Sequence, residues 1–173
     1  MLIKSVRGFQ PKWGKDCFIA ENASLIGNVV MGDQCSVWYQ AVVRGDVHSI
    51  RIGDRVNIQD GAVIHATFEK AATTIGNDVS IGHNAIVHGC TLHDKVLIGM
   101  GSIVMDNCQI HSNSIIAAGS VVTQNTVVES DAIYAGIPAR KIKTVDAALQ
   151  KGEIERIAQN YLFYSSWFKA EDE

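Results

Sequence analysis

A six-residue repeat constrains this 173-residue chain more than any other feature of its sequence. Large aliphatic residues recur at every sixth position, and seventeen such units run from Ile19 to Val122. One step, from Val87 to Leu92, is five residues long. Six residues are too few for a pair of helices but enough for one short strand and a turn, and hexapeptide repeats are typical of parallel β-helices.

Two columns of the repeat predict how the strands pack. The aliphatic residue points inward from a flat face, and the small fifth residue lies where the chain bends, a column in which we place Cys35, Thr91 and Cys108. Three strands then complete one coil of a triangular prism. Insertions at residues 47–49 and 66–74 interrupt the repeat without ending it. The 20 Ile and 18 Val against 6 Leu also favour strands over helices.

Composition excludes several functional classes. A hydrophobic fraction of 47% and a charged fraction of 19% are those of a chain with a buried core. The net charge of -3 comes without the basic surface that nucleic-acid binding needs. No apolar run approaches the roughly 18 residues of a membrane span, and no signal peptide is recognisable. We therefore expect a cytoplasmic protein with reduced cysteines and with neither nucleic-acid nor membrane partners.

The repeat predicts an all-β domain over residues 1–143, followed by a helical segment over residues 144–173. Apolar residues in the second segment follow the spacing of one helical face, so we expect a helix packed along the outside of the prism. Thr144 or Asp146 is expected to cap a preceding short helix, which Gly152 interrupts.

Residues at equivalent positions of consecutive coils stack at the strand spacing of about 4.8 Å. His65 and His88 are equivalent by this rule, so their imidazoles are predicted to stack on one face. His83 falls on a different face, and a threefold assembly would bring it to the pair from a neighbouring chain. His93 and His111 should stack on the third face, where we interpret them as a solvated pair because no third imidazole lies in register.

Polar side chains are predicted next to His65 and next to His83. Arg44 falls one coil below His65, and Asp60, with Gln59 next to it, falls one coil below His83. Three neutral imidazoles with one open position form the ligand set of a catalytic zinc site.

Six short motifs match one known family in both order and spacing. They are Arg44-Gly45-Asp46, Asn57-Ile58-Gln59-Asp60-Gly61, Ile64-His65-Ala66, Ile81-Gly82-His83, Val87-His88-Gly89 and Ile98-Gly99-Met100. Over roughly residues 10–143 the chain resembles the γ-class carbonic anhydrases. The resemblance implies a left-handed β-helix and a homotrimer, with a metal at each interface bound by His65 and His88 of one chain and His83 of the next. Zinc is the expected metal, and imidazole ligands also accept iron or cobalt.

The resemblance further implies an activity, the reversible hydration of CO2 to bicarbonate by a metal-bound hydroxide. It assigns Gln59 to orienting that hydroxide and places Asn57 and Asp60 in the polar surround. It assigns Arg44 and Asp46 to an ion pair across the subunit interface.

Two positions depart from the family pattern. The archetypal enzyme has an acidic residue directly after the Arg-x-Asp triplet and another three residues beyond the first His ligand, and both act as proton shuttles. Here those positions hold Val47 and Phe68. Glu69 and His48 are the candidate substitutes, although neither is at the matching position. Because each turnover must release a proton, we expect metal binding with slow hydration.

Two other functions stay open. A hexapeptide acyltransferase shares the repeat and uses a single His as base with acyl-CoA bound between subunits, but it does not need three converging histidines. A non-catalytic trimeric module that holds partners with its terminal helix is the third hypothesis.

Overall fold

Short parallel strands stacked coil upon coil form the body of the molecule, as seen in a computed structural model that describes residues 1–169. The strands are β1 (Leu2–Lys4), β2 (Phe18–Ile19), β3 (Ser24–Met31), β4 (Ser36–Val37), β5 (Val42–Ile52), β6 (Asn57–Ile58), β7 (Val63–His65), β8 (Thr73–Ile75), β9 (Ser80–Ile81), β10 (Ile86–His88), β11 (Thr91–Leu92), β12 (Leu97–Ile98), β13 (Ile103–Val104), β14 (Gln109–Ile110), β15 (Ile115–Ile116), β16 (Val121–Val122), β17 (Val127–Val128), β18 (Ala132–Gly136) and β19 (Ala139–Thr144).

The strands line three faces of a prism, as the repeat predicts. The first, which we call the histidine face, is built by β7, β10, β13 and β16, and the second, the polar face, by β8, β11, β14 and β17. The third, the helix-covered face, runs from β2 through β4, β6, β9, β12 and β15 to β18. The long strands β3 and β5 turn the corner between the first two faces and join them into one sheet.

The inward aliphatic column forms the core. Leu25, Ile64 and Ile98 are completely buried, and burial of one such side chain contributes about 1.5–3 kcal/mol. After Val122 the column reaches Val128, near which the sequence places the end of the repeat, and Val128 is buried and pairs with Ile110 of the preceding coil.

The bend column is confirmed for Cys35 and Cys108 but is wrong for Thr91. Cys90 is the buried residue at that bend, whereas Thr91 lies in β11 and pairs with Gln109. The unit that begins at Val87 therefore lacks one residue before its bend, so the buried bend residue is the fourth of that unit instead of the fifth. Burial raises the pKa of the Cys90 thiol, so that it stays protonated and serves packing rather than chemistry.

A hairpin and a helical segment complete the chain. The helical segment consists of α1 (Ala147–Leu149), a π-helical stretch (Gln150–Glu155) and α2 (Arg156–Lys169). Asp146 caps α1, since its carboxylate accepts a hydrogen bond of 2.8 Å from the Leu149 amide. The predicted interruption at Gly152 is wrong, because the π-helical stretch carries the chain directly into α2. No helix within residues 1–169 is long and apolar enough to cross a bilayer.

Helix α2 packs along the outside of the prism, as predicted from its apolar spacing. Its Phe168 ring lies 5.1 Å from the ring of Phe18, and Tyr161 meets Trp38 edge-on at 5.3 Å. Ser36, Asn57 and Ser80 lie on the same face and are almost fully buried. The helix therefore seals one of the three faces.

We predict that Gly99→Ala destabilises the prism by about 1–3 kcal/mol, because overpacking a tight site forces the backbone apart. A Cβ at Gly99 would lie 2.7 Å from the carbonyl carbon of Ala117 in the next coil. Gly152→Ala is the matched control, since its Cβ would meet nothing within 4 Å and alanine favours helix. Thermal unfolding should show a lower Tm for the first variant only, and equal Tm values would contradict the close-stacking account.

Candidate metal centre

Two imidazoles lie together on the histidine face, as the coil spacing predicts. His65 and His88 pair in adjacent strands β7 and β10, with ring centroids 5.1 Å apart. Nδ1 of His65 lies 3.1 Å from Nε2 of His88. These two nitrogens face each other across the space where a ligand would bind.

Each imidazole of the pair gives its other nitrogen to a carboxylate. Nε2 of His65 lies 3.0 Å from Asp46, and Nδ1 of His88 lies 2.5 Å from Asp106. An N–H donated to a carboxylate fixes the tautomer, so that the facing nitrogens present lone pairs. Two nitrogens bonded to a tetrahedral zinc at about 2.05 Å are separated by about 3.3 Å. The observed 3.1 Å is close to that separation, and it is also the length of a hydrogen bond between the two rings when one of these nitrogens carries a proton.

Surrounding charges keep the carboxylates ionised and the imidazole neutral. Burial alone would raise the pKa of Asp46, but hydrogen bonds from Arg44 and His65 bring that pKa below its usual value. Burial is also the main cause that lowers the pKa of His65. Arg44 donates to Asp46 at 2.6 Å within one chain, whereas the family resemblance implies this pair across an interface. A neutral imidazole beside an ionised carboxylate is the form that binds metals.

The 66–74 insertion braces this pair through residues that the sequence analysis missed. The Thr67 hydroxyl donates to Asp106 at 2.5 Å, and the Thr73 hydroxyl donates to the His65 carbonyl at 2.5 Å. Thr73 also accepts a hydrogen bond of 2.9 Å from the Gly89 amide. The spacing rule does not find Asp106, because the five-residue step shortens this coil to 17 residues, as the pairing of Val87 with Val104 shows, and so puts Met105 in register with His88.

His83, the third imidazole, also has a carboxylate against one ring nitrogen, but it lies on a different face of the prism from the pair. It follows β9, and its Nδ1 lies 2.9 Å from Asp60, which confirms the predicted stacking of these two residues. Its Nε2 lies 3.3 Å from the Tyr161 hydroxyl of α2, a contact that the sequence analysis did not find. Burial, and then the charge of Asp60, raise the pKa of Tyr161 to about 12. The phenol therefore keeps its proton and donates to His83.

A chain of amides lies under α2 near His83. Gln59 is buried and donates to Asn57 at 2.9 Å, and Asn57 donates to Ser80 at 2.7 Å. These hydrogen bonds fix the orientation of the Gln59 amide, so that it can direct a bound ligand without first losing side-chain entropy.

The candidate proton acceptors line one cavity, which reaches the histidine pair through Asp46, the carboxylate partner of His65. A space of about 320 Å³ is lined by Asp46, Val47, His48 and Glu69. Nδ1 of His48 already accepts a hydrogen bond of 2.8 Å from the Ser49 amide. Glu69 is exposed at the rim. Of the two substitutes considered from the sequence, Glu69 is therefore the more available acceptor.

One chain does not assemble the three imidazoles by itself. Within residues 1–169, no three His, Cys, Asp or Glu side chains converge as a metal site. His93 and His111 stack as predicted, at 4.7 Å and 17°. Nearly parallel rings direct their lone pairs side by side rather than toward one point, so this pair does not offer a metal two converging nitrogens.

Comparison with known proteins finds two hexapeptide-repeat families and relatives that are named carbonic anhydrases. The chain matches two repeat families, "Bacterial transferase hexapeptide (six repeats)" over residues 89–124 and "Hexapeptide repeat of succinyl-transferase" over residues 72–105. It is 49% identical over 150 residues to the "Probable carbonic anhydrase" of Methanocaldococcus jannaschii, which covers 87% of this chain and 91% of the relative. It is 39% identical over 169 residues to the "Carbonic anhydrase" of Geobacillus kaustophilus, covering 98% and 92%.

A solved structure has nearly the same fold. The crystal structure of a putative acetyltransferase from Bacillus cereus superposes with a TM-score of 0.94 at 34% identity, covering 98% of this chain and 97% of the other.

We predict that Asp106→Asn weakens metal binding by about 10- to 100-fold, the usual cost of losing a partner behind a histidine ligand. An amide can donate to Nδ1 of His88 and so drive the proton onto the nitrogen that must bind. Asp78→Asn is the control, because Asp78 pairs with Arg55 away from the histidines. Competition with a chromophoric chelator measures the affinity, and an unchanged value for Asp106→Asn would contradict this role.

Proposed function

The chain belongs to the γ-class carbonic anhydrase family of hexapeptide-repeat proteins, and we propose that it hydrates CO2 reversibly to bicarbonate with the help of a bound metal. One observation carries the proposal. His65, His83 and His88 each place one ring nitrogen against a carboxylate, and the other nitrogens contact only side chains that a metal could displace or join, His65 with His88 and His83 with the Tyr161 hydroxyl. Structural histidines do not need that arrangement three times, whereas metal ligands do.

The proposal requires a homotrimer with a shared site, because His83 and the His65–His88 pair belong to different faces. An apolar column on the histidine face supports such an assembly. Its members are β-branched side chains that are only partly buried in the single chain: Val42, Val63, Ile86, Ile103 and Val121. A neighbouring copy that covers this column removes apolar surface from water and brings its own His83 to the pair.

A bound Zn²⁺, Fe²⁺ or Co²⁺ would lower the pKa of water to near neutrality and so supply the nucleophile. The three imidazoles would hold that ion, and their carboxylate partners raise the basicity of each ring. Arg44 keeps Asp46 ionised, and Thr67 does the same for Asp106. Gln59, held by Asn57, orients the attacking oxygen.

Proton export is the step at which this chain departs from its family. We assign it to Glu69, which lies on the cavity rim and is not committed to a structural hydrogen bond as His48 is. An exposed carboxylate transfers a proton less effectively than one fixed beside the nucleophile, because the productive geometry is rarely populated. Hydration is therefore expected to be weak.

An acyltransferase is the second candidate, because both matching repeat families and the Bacillus cereus structure carry transferase names. That activity needs one histidine base and a CoA thioester between subunits, so it leaves the two further histidine–carboxylate pairs unexplained. Binding of acetyl-CoA to the metal-loaded protein, with no hydration of CO2, would favour it.

Shared ligation predicts recovery in mixed trimers. A His83→Ala chain and a His65→Ala chain should each bind little metal alone, whereas a mixed trimer regains about one interface in three, where intact halves meet. Metal analysis and stopped-flow hydration on the same sample provide the readout. A mixture of His83→Ala chains with His83, His93 double-alanine chains is the control and should regain nothing. No recovery in the first mixture would contradict a shared site.

The missing shuttle predicts a gain of function. Val47→Glu places a carboxylate next to Asp46, where the archetypal enzyme has one, and it should raise kcat at low buffer toward the lower end of the about 10²- to 10⁴-fold range of general acid–base assistance. The kcat/KM for CO2 should stay nearly unchanged, because CO2 capture precedes proton export. Val47→Gln is the matched control without a titratable group. A wild type that is already fast and independent of buffer would show this prediction to be wrong.

A further inference from the structure

An exposed phenylalanine ring and an aromatic cavity lie beside the proposed site, and the proposed hydration of CO2 uses neither. Phe68, at the tip of the 66–74 insertion, is 49% exposed, and the Arg7 guanidinium lies 5.5 Å from its ring centre. On the other half of the site, a cavity of about 290 Å³ opens between α2 and the helix-covered face. It is lined by Asp60 and by aromatic rings that include Trp38, Tyr161, Tyr164 and Trp167.

We propose that Phe68 of one subunit inserts into this aromatic cavity of the neighbouring subunit. The inference rests on the shared metal site proposed above, and it identifies the contact that closes that site. Phe68 occupies the position at which the archetypal enzyme has a proton shuttle, and the proposal gives this residue a role in subunit recognition.

The cavity borders the side of His83 that must face the metal. Tyr161 lines the cavity, and its hydroxyl lies 3.3 Å from Nε2 of His83. Asp60 also lines it and holds Nδ1 of the same imidazole at 2.9 Å. Whatever approaches Nε2 of His83 therefore also approaches the mouth of the cavity.

In the shared site, the 66–74 segment of the neighbouring subunit must lie close to the mouth of the aromatic cavity. Nitrogens bound to one metal lie within about 4 Å of each other, since each bond is about 2.0–2.1 Å long. Phe68 follows the ligand His65 by three residues, a reach of at most about 10 Å along the chain. A neighbour whose His65 joins His83 on one metal thus places its Phe68 near the aromatic rings.

The two surfaces are also complementary in chemistry. An exposed benzyl group matches a cavity of aromatic rings, and edge-on or offset ring contacts add to the gain from burial. Arg7 travels with Phe68, and the cavity offers the half-exposed carboxylate of Asp60. Trp167 packs against Phe163 and Tyr164 of the same helix, and it is 53% exposed in the single chain, so about half of its surface can contact an incoming side chain.

Photo-cross-linking of the full-length, metal-loaded trimer tests the contact. The photoreactive p-benzoylphenylalanine replaces Phe68, and trimers are reassembled from isotopically light and heavy chains. We expect cross-links between light and heavy chains that map to peptides carrying Trp38 or residues 161–167. Replacement of Val127, which is 60% exposed on β17 of the polar face, is the control and should give none to those peptides.

A second measurement uses stability of the assembly. Phe68→Ala should raise the protein concentration at which half of the trimer dissociates by about tenfold, as for a central aromatic anchor of an interface. Val127→Ala, which removes an equally exposed apolar side chain from the polar face, should change it by less than about twofold. Circular dichroism of the dissociated chains verifies that both variants remain folded.

The outcomes separate this inference from the function on which it rests. Cross-links confined to one chain, or none, in a trimer whose mixed-chain metal recovery is established would overturn the Phe68 contact alone. A wild type that does not form a trimer, or that binds metal without His83, would overturn the shared site and the contact together.

Discussion

The parallel hydrogen-bond ladder between coils determines where the three candidate histidine ligands and Asp60 lie. Because consecutive coils stack in fixed register, one residue per coil occupies each column along the prism. His88 therefore lies directly above His65, and Asp60 lies below His83. A one-residue slip would turn these side chains inward and expose the aliphatic core instead. The fold thus pre-positions the imidazoles and their carboxylates before any ligand arrives.

The same rigidity explains why a single chain does not bring the three imidazoles together within residues 1–169. Flat faces cannot bend to bring His83 to the His65–His88 pair, so the third nitrogen must come from another copy if the three act together. Assembly and ligand binding then become linked equilibria. The histidine face of the single chain is consistent with this dependence, because two imidazole nitrogens lie 3.1 Å apart there beside partly exposed apolar side chains.

Much of the fold and part of the site could be predicted from the sequence, because columns of a strict repeat translate directly into neighbours in space. The spacing placed His65 with His88, and Asp60 with His83. It failed where the period failed, as at Thr91 after the five-residue step. It also could not find Thr67 or Tyr161, because their contacts depend on an insertion and a helix that the repeat does not describe.

The central claim is that three histidines from two chains share one metal, each with a carboxylate behind it. An anomalous-difference map from crystals of the metal-loaded protein, recorded at the absorption edge of the metal, tests this most directly. The account predicts one peak per subunit interface, bonded to Nδ1 of His65 and Nε2 of His88 from one subunit and to Nε2 of His83 from the next. A peak elsewhere, or a metal bound within a single chain, would contradict it.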